Sequence, residues 1–249
     1  MKKIRIFAVL ICALLFSKFS FAESGWQFGV MIPIGASFSF YNVNFNSSQA
    51  TPEYMNNYKK STGTIGFDIG VNLQAGYLVS DGDIGISLLA DLGYSHDSFG
   101  LTSSYQNTSG KKVDVKEYYT FENLAIGILP KFHYKNFAFG LGLGVKVPLY
   151  LTHSTESKID NTSTKTYGYY STSKIDDVIK NSVITYVKLT FDYSFYVADD
   201  VALLLGAYLG TDFGLDLRGA ERVMVDSRDL ASFDLGVQLG VKFGQGIFD

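Results

Sequence analysis

The sequence predicts an all-β protein, an eight-stranded antiparallel up-and-down transmembrane β-barrel. Three observations predict this fold: eight segments in which apolar residues alternate with small or polar ones, connections that alternate between short and long, and an apolar N-terminal leader. The alternation is clearest in residues 65–79, where Ile65, Phe67 and Ile69 are separated by Gly66 and Asp68. Successive side chains of a strand point to opposite faces, and about ten residues of a tilted strand cross a bilayer. Each segment can therefore give one face to lipid and the other to a barrel interior.

The first 22 residues have the pattern of a cleavable secretory signal peptide. Basic residues precede the apolar run 6–16, and small residues flank Phe21 at a suitable cleavage point. The run is too short for a spanning helix, which needs about 20 apolar residues. We therefore expect residues 1–22 to be removed and residues 23–249 to form the barrel domain. The only cysteine, Cys12, would leave with the leader.

The composition of the remaining chain excludes several function classes. Loss of the leader moves the net charge from −3 to −7, because the leader contains four basic residues and no acid. A mildly acidic chain without a basic patch is unsuited to nucleic acid. Without cysteine it has no disulfide and no thiolate metal site. We expect no cofactor and no nucleic-acid partner.

The predicted strands are joined by connections of two lengths. We expect strands at Trp26 to Phe40, Ile65 to Val79, Ile84 to His96, Tyr118 to Tyr134, Phe137 to Leu151, Val183 to Val197, Val201 to Leu217 and Leu230 to Phe243. Tight turns are expected at 80–83, 135–136 and 198–200, and long polar loops at 41–64, 97–117, 152–182 and 218–229. Short periplasmic turns and long extracellular loops are typical of barrels in the cell outer membrane. An even strand count puts both termini on one side, which we expect to be the periplasm.

Residue size predicts which face points inward. The set that alternates with the apolar residues is rich in glycine, and small residues suit the narrow interior of an eight-stranded barrel. The apolar set is bulky, and its aromatic residues lie near the strand ends as two interfacial girdles. The girdle residues are Phe28, Tyr77, Phe132, Tyr134, Phe137, Tyr193, Phe195 and Phe243 at one end and Phe38, Phe40, Tyr94, Tyr118, Phe213 and Phe233 at the other. The alternatives that this pattern disfavours are a β-sandwich and a soluble ligand-binding barrel, whose apolar face points inward.

Charged residues in the strands fall on the glycine-bearing face. There we expect a polar network in the lumen: Asp68, Asn72, Gln74, Asp91, Lys131, Lys146, Lys188, Asp192, Asp212, Asp234, Gln238 and Lys242. The turns predict four opposing pairs: Lys131 with Gly140, Lys188 with Gly210, Asp192 with Gly206, and Asp91 with Asn72. Buried charges must be paired to persist, and five aspartates with four lysines are nearly balanced. The network therefore favours a plugged barrel, and an ion-conducting path along the same residues is the alternative.

The last predicted strand carries alternate apolar residues that end in an aromatic: Phe233, Leu235, Val237, Leu239, Val241 and Phe243. In this terminal pattern and in its architecture over residues 26–248, the chain resembles the small outer-membrane barrels of the OmpA transmembrane-domain, OmpX and opacity-protein type, and more distantly the OmpW-like barrels. It departs from the terminal pattern by continuing to Asp249, with Phe248 next to last. The resemblance implies insertion into outer-membrane lipid by the barrel-assembly machinery. It also implies roles that range from membrane integrity to adhesion and host contact.

The first functional hypothesis is a structural or interaction protein that acts through its loops. The loops are rich in Ser, Thr, Asn and Tyr, and we expect them to have no apolar core of their own. The best candidate contacts to a host molecule or surface glycan are Tyr167, Tyr169 and Tyr170, because tyrosine offers a large contact area with a polar tip. The alternative is that the loops are solvated and have no single ligand.

Two further hypotheses come from other function classes. A small-solute or ion channel would need a wider lumen than eight strands normally leave. An outer-leaflet lipid-modifying hydrolase would use His96 to activate Ser98, with Glu117 or Glu122 as the acid. This two-residue spacing arises easily by chance, so we assign no catalytic residue and do not expect an enzyme. The histidines are not in metal-ligand spacing, and we expect no metal site.

Overall fold

The computed structural model describes residues 24–46, 48–49, 52, 62–107, 109–160, 162–181, 183–218 and 225–244. The predicted signal peptide, half of the loop 41–64, half of the loop 218–229 and the last five residues lie outside this part of the chain. The described strands are β1 (Gly25–Phe45), β2 (Thr62–Asp81), β3 (Ile84–Gln106), β4 (Lys112–Tyr134), β5 (Phe137–Ile159), β6 (Thr162–Ser171), β7 (Ile184–Ala198), β8 (Val201–Asp216) and β9 (Val225–Gly244). A 3-10 helix (Thr172–Asp177) follows β6. Within the described residues, no helix is long and apolar enough to cross a membrane.

Eight of these strands form a closed antiparallel ring, which confirms the predicted fold class. The order is β1, β2, β3, β4, β5, β7, β8 and β9, with β9 pairing back onto β1 and β6 pairing only with β5. Paired residues followed once round the ring from Lys242 lead back to β9 at Ser232, ten residues away. Such a stagger accompanies a strand tilt of roughly 35–45° and leaves the ring without a free edge.

The strands extend further than predicted at the end of the barrel that carries the long connections, which we call the loop end. Residues 97–117, predicted as a loop, are mostly a hairpin of β3 and β4. The predicted loop 152–182 contains the end of β5, the strand β6 and the 3-10 helix. The outward faces of these segments are mostly polar, so they lack the apolar alternation that marks a lipid-facing strand. They form strands because β3, β4, β5 and β6 pair with one another.

At the opposite end, which we call the turn end, two of the three predicted turns are too long, the turn 198–200 by the single residue Ala198, which pairs with Val201. The turn 80–83 has only two unpaired residues, because the flanking strands stay paired on both sides of it. This register places Asp91 opposite Gln74, so the predicted pair of Asp91 with Asn72 is wrong. The other three predicted pairs are confirmed: Lys131 with Gly140, Lys188 with Gly210, and Asp192 with Gly206.

The outward side chains form an apolar belt around the barrel. It includes Phe28, Val30, Ile32, Leu73, Leu92, Ile126, Leu141, Leu189, Leu205, Val237 and Leu239, all exposed. On β3 and β4 the belt ends at Tyr94 and Leu124, beyond which the outward residues are mostly polar. Tyr118 was predicted to belong to the aromatic girdle at the loop end. It lies six residues beyond Leu124 and therefore about 20 Å further along the strand. An apolar outside around a small and polar inside is typical of a membrane barrel.

In the interior, a tyrosine lies across two neighbouring glycines. Tyr186 on β7 is opposite Gly144 on β5, which is opposite Gly127 on β4. A Cβ atom on Gly127 would lie 2.2 Å from the Tyr186 hydroxyl, and one on Gly144 would lie 2.6 Å from its ring. The ring therefore fills the space that two side chains would need. The same arrangement recurs on another wall of the barrel with Tyr208, Gly236 and Gly35.

We expect Gly144→Ala to destabilise the barrel by about 1–3 kcal/mol, because the new Cβ must displace either the Ile126 carbonyl, 2.4 Å away, or the Tyr186 ring. Urea-induced unfolding in lipid vesicles measures this change. The matched control is Gly142→Ala on the same strand and face, where the nearest atoms are 3.4 Å away and little change is expected. Equal destabilisation by the two variants would contradict the tyrosine–glycine packing.

Candidate functional site: the barrel interior

The structure places the twelve residues of the predicted network inside the barrel. Eleven are buried, and the side chain of Lys188 is 13% exposed. They do not form one continuous cluster, because the barrel is long enough along its axis to separate them into layers. The layers follow one another from the turn end to the loop end.

The layer at the turn end is basic. Lys131 Nζ donates to Asp192 Oδ2 at 2.8 Å, and the side chain of Gln238 donates to the other oxygen of this carboxylate. Lys242 has no carboxylate partner within the described residues; its Nζ donates instead to the Tyr196 hydroxyl at 2.8 Å. Among the network residues, this layer thus contains two lysines and one aspartate, and only Lys131 contacts that aspartate.

The middle layer is centred on Asp91. Lys188 Nζ lies 3.0 Å from Asp91 Oδ2, and Asn72 Nδ2 donates to both carboxylate oxygens at 3.2 Å. Gln74 joins the two layers, because its Nε2 donates to Asp91 at 3.4 Å and its Oε1 accepts from Lys131 at 3.3 Å. Asn72 therefore contacts Asp91 diagonally, although it does not face it across the strands.

The next layer towards the loop end contains an acid that sequence reasoning missed. Lys146 Nζ lies 2.6 Å from Asp212 Oδ2 and 3.0 Å from Asp97 Oδ1. Asp97 also accepts hydrogen bonds from Asn123 at 2.6 Å and from Ser95 at 2.7 Å. The predicted third strand ended one residue before Asp97. The signal that could have identified it is its even spacing from Asp91, which places both side chains on the inward face.

Within the described part of the chain, the remaining two network acids, Asp68 and Asp234, have no such partners. Both are buried, and Oδ1 of each is a buried atom without a hydrogen-bond partner. They line a cavity of about 70 Å³ together with Asp97, Asp212 and Lys146. We call these four aspartates the acidic layer. Among the described residues, no three His, Cys, Asp or Glu side chains form a group that could hold a metal ion by themselves.

An apolar cluster lies at the loop end, so the expectation that the loops have no apolar core is wrong. The cluster consists of Phe99, Leu101, Tyr119, Phe121, Leu151, Ile175, Ile179, Ile184, Leu215, Leu217 and Leu230. Ile175 and Ile179 come from the segment between β6 and β7 and are almost completely buried. The segment is anchored by the backbone of Arg218 and by its side chain, which donates to the Ile179 carbonyl at 3.1 Å. No single loop contributes enough apolar residues for the sequence to show the cluster.

One histidine extends the apolar cluster sideways. The His153 ring stacks on Tyr119, with centroids 4.4 Å apart and planes 13° from parallel. Burial lowers the pKa of His153, so the ring is neutral at neutral pH and packs without an uncompensated charge.

The three predicted contact tyrosines do not share one face. Tyr167 and Tyr169 are exposed and their rings stack 6.3 Å apart. Lys165 Nζ lies 5.3 Å from the centre of the Tyr167 ring. Tyr170 is half-buried and packs against the apolar cluster, so it does not share the exposed face of the other two. Side chains of a strand alternate between faces, which separates Tyr170 from its neighbour Tyr169.

The residues of the hydrolase hypothesis are only partly brought together. His96 Nδ1 lies 2.7 Å from Glu122 Oε1. Ser98 Oγ lies 3.1 Å from the Thr120 hydroxyl, and Glu117 accepts from the Tyr119 hydroxyl at 3.4 Å. A nucleophile and its base should be in hydrogen-bond contact. The structure pairs the histidine with an acid but gives the serine another partner.

A scan against protein-family models and a search of curated proteins gave no match. Among solved structures, the chain is similar to the outer membrane protease OmpT from Escherichia coli, with 9% identity over 91% of this chain and 98% of that chain and a TM-score of 0.37. The outer membrane protein OprG from Pseudomonas aeruginosa gives 14% identity, coverages of 89% and 98%, and a TM-score of 0.37. The attachment invasion locus protein Ail of Yersinia pestis gives 10% identity over 85% of this chain and 97% of that chain, with a TM-score of 0.29. At these values the barrel assignment rests on the strand pairing of this chain, and the resemblance to the OmpA, OmpX and opacity-protein group stays a prediction.

We expect Lys146→Met to destabilise the barrel by about 3–5 kcal/mol, because it leaves Asp97 and Asp212 buried without their cation. The free energy of unfolding from urea titration in vesicles measures the effect. The control is Lys111→Met, which removes an exposed pair with Asp160 and should cost no more than about 1 kcal/mol. A small effect for both variants would show that the interior charges are well hydrated.

Proposed function

We propose that this chain is an outer-membrane surface protein with a closed lumen, which contacts a host molecule or surface ligand through the part that projects beyond the apolar belt. The observation that carries the proposal is the continuation of β3, β4 and β5 past the belt, where β6 joins them in a four-stranded sheet. A polar sheet of this size is not needed to span a membrane. Its outward face is the surface through which we expect the protein to act.

The outward face of this sheet combines aromatic and basic side chains. Tyr118 is opposite Ser154, which is opposite Tyr167, so the two tyrosines lie in one row across three strands. Tyr169 is two residues from Tyr167 on the same face, and Lys165 lies on its other side. Tyrosine is enriched at protein interfaces because its flat ring gives contact area and its hydroxyl gives a hydrogen bond.

Two features support a closed lumen. The lysine and aspartate side chains fill the middle of the barrel and bind one another, and eight strands leave little space around them. Beyond them, the apolar cluster joins residues of six strands at the loop end with Ile175 and Ile179 from the segment between β6 and β7. Conduction would require a path through both.

The location and orientation are testable by cysteine labelling in intact cells. Because Cys12 is the only cysteine and lies in the predicted leader, the mature chain offers no background thiol. We expect Thr164→Cys in β6 to react with a membrane-impermeant maleimide, since the long connections should face outward. Asp199→Cys, in a tight turn, should react only after the outer membrane is opened. The reverse pattern would contradict the proposed orientation, and equal labelling of both would contradict a spanning barrel.

The contact surface is testable with the folded chain in lipid nanodiscs on an array of purified extracellular-matrix proteins and cell-surface glycans. We expect binding to at least one of these, with the double variant Tyr167→Ala, Tyr169→Ala reducing affinity by about tenfold or more, as loss of central aromatic contacts does. The control is Tyr105→Ala, since Tyr105 is exposed but lies on the opposite face of the same sheet. Unchanged binding in the double variant would contradict the assignment of this face.

A further inference from the structure

We propose that Asp68, Asp234 and the hydroxyl of Tyr208 bind a small hard divalent cation, Ca²⁺ or Mg²⁺, in the acidic layer. This inference concerns the interior of the barrel and does not depend on the proposed surface function. It follows from the positions of the three groups, from the distribution of charge around them and from the chemistry of their oxygen atoms.

The three groups line one cavity beside Gly35 of β1. Asp68 on β2 is opposite Gly35, and Asp234 on β9 is opposite Ser37, two residues further along β1. The acids therefore stand on either side of β1, with no side chain at Gly35 between them. The Tyr208 hydroxyl occupies that place, 2.3 Å from where a Cβ of Gly35 would be. The two carboxylates and the hydroxyl all line the same cavity.

The lysine of this layer is already engaged by the other two acids. Lys146 contacts Asp97 and Asp212, and no cationic side chain in the described part of the chain lies within ion-pair distance of Asp68 or Asp234. These two residues are only 7% and 5% exposed, and each has a buried oxygen without a hydrogen-bond partner. A buried carboxylate without a partner is strongly disfavoured. A divalent cation would balance the two charges that the protein itself leaves unbalanced.

The ligand chemistry selects the type of cation. Carboxylate and hydroxyl oxygens suit Mg²⁺ and Ca²⁺ and are poor ligands for soft metals. Mg²⁺ is commonly held by one or two carboxylates while it keeps several waters. That arrangement agrees with the finding that no three described acids or histidines form a metal group by themselves. The adjoining cavity of about 70 Å³ is several times the roughly 10–15 Å³ that a cavity needs to hold one water, so it has space for an ion with bound waters.

The test uses the full mature chain, refolded in zwitterionic detergent without lipopolysaccharide, in EDTA or in millimolar CaCl₂ or MgCl₂. Refolding in the presence of the ion avoids the need for it to pass the closed ends of the barrel. We expect at least one of the two ions to raise the temperature at which the compact band disappears on a semi-native gel. Tb³⁺, a luminescent substitute for Ca²⁺, should emit when tyrosine is excited, because the Tyr208 ring borders the site.

The decisive variant is Asp68→Asn, Asp234→Asn, which removes both charges but keeps the size of the side chains. It should fold in EDTA at least as well as the unmodified chain and should lose both the thermal shift and the Tb³⁺ emission. The control Asp199→Asn, in an exposed turn, should keep both. The proposal is overturned if neither ion shifts the unmodified chain, or if the double variant responds equally. An unfolding temperature that follows pH without any ion effect would show that Asp68 and Asp234 bind protons instead.

Discussion

The closure of eight strands into one ring is the constraint on which the rest of the structure depends. Closure with a stagger of ten residues satisfies the backbone hydrogen bonds of the belt region without a free edge, as a structure surrounded by lipid requires. It also fixes a narrow interior. Everything that points inward must therefore fit in little space, which explains why Tyr186 and Tyr208 lie flat over glycines. The packing of the interior is a consequence of the closure.

The same narrowness governs the charges. Water has little room inside, so a lysine or aspartate there must find its partner on another strand, and the observed pairs join β4 to β7, β3 to β7 and β5 to β8. These contacts connect walls that the backbone ladder does not connect. Positive and negative side chains are not balanced within each layer. The turn end has a lysine, Lys242, without a carboxylate among the described residues, and the acidic layer has two aspartates without a lysine. The charge is thus unevenly distributed along the barrel axis, and the apolar cluster lies beyond the acidic layer, at the loop end.

Much of this follows from the period of two in the sequence. The alternation of side chains between two faces was enough to predict that all twelve network residues lie on one face, because a side chain in a strand has only two directions. The alternation did not predict which network residues contact each other, since these contacts depend on the register between strands. One misjudged turn length moved Asp91 from Asn72 to Gln74. Nor did it give Asp97, because the predicted strand stopped where the lipid-facing alternation stopped. The structure shows that strand pairing continues beyond the belt.

The apolar cluster could not be predicted from single segments of the sequence. Ile175 and Ile179 stand isolated in a polar stretch, and their burial comes from residues contributed by six of the nine strands. Only the assembled loop end brings these residues together. The same is true of Tyr170, which faces inward because the cluster lies on its side of β6. Hydrophobic contacts of this kind depend on three-dimensional proximity, which no local pattern encodes.

The most direct test of the closed interior is single-channel recording in a planar bilayer, with protein shown to be folded by its heat-dependent gel shift. The proposed closed lumen predicts that the unmodified chain is silent, because conduction would have to pass both the ion-paired layers and the apolar cluster. Reproducible openings of the unmodified chain, altered in size or selectivity by Lys146→Ala or Lys188→Ala, would contradict this account and identify the interior as a conducting path.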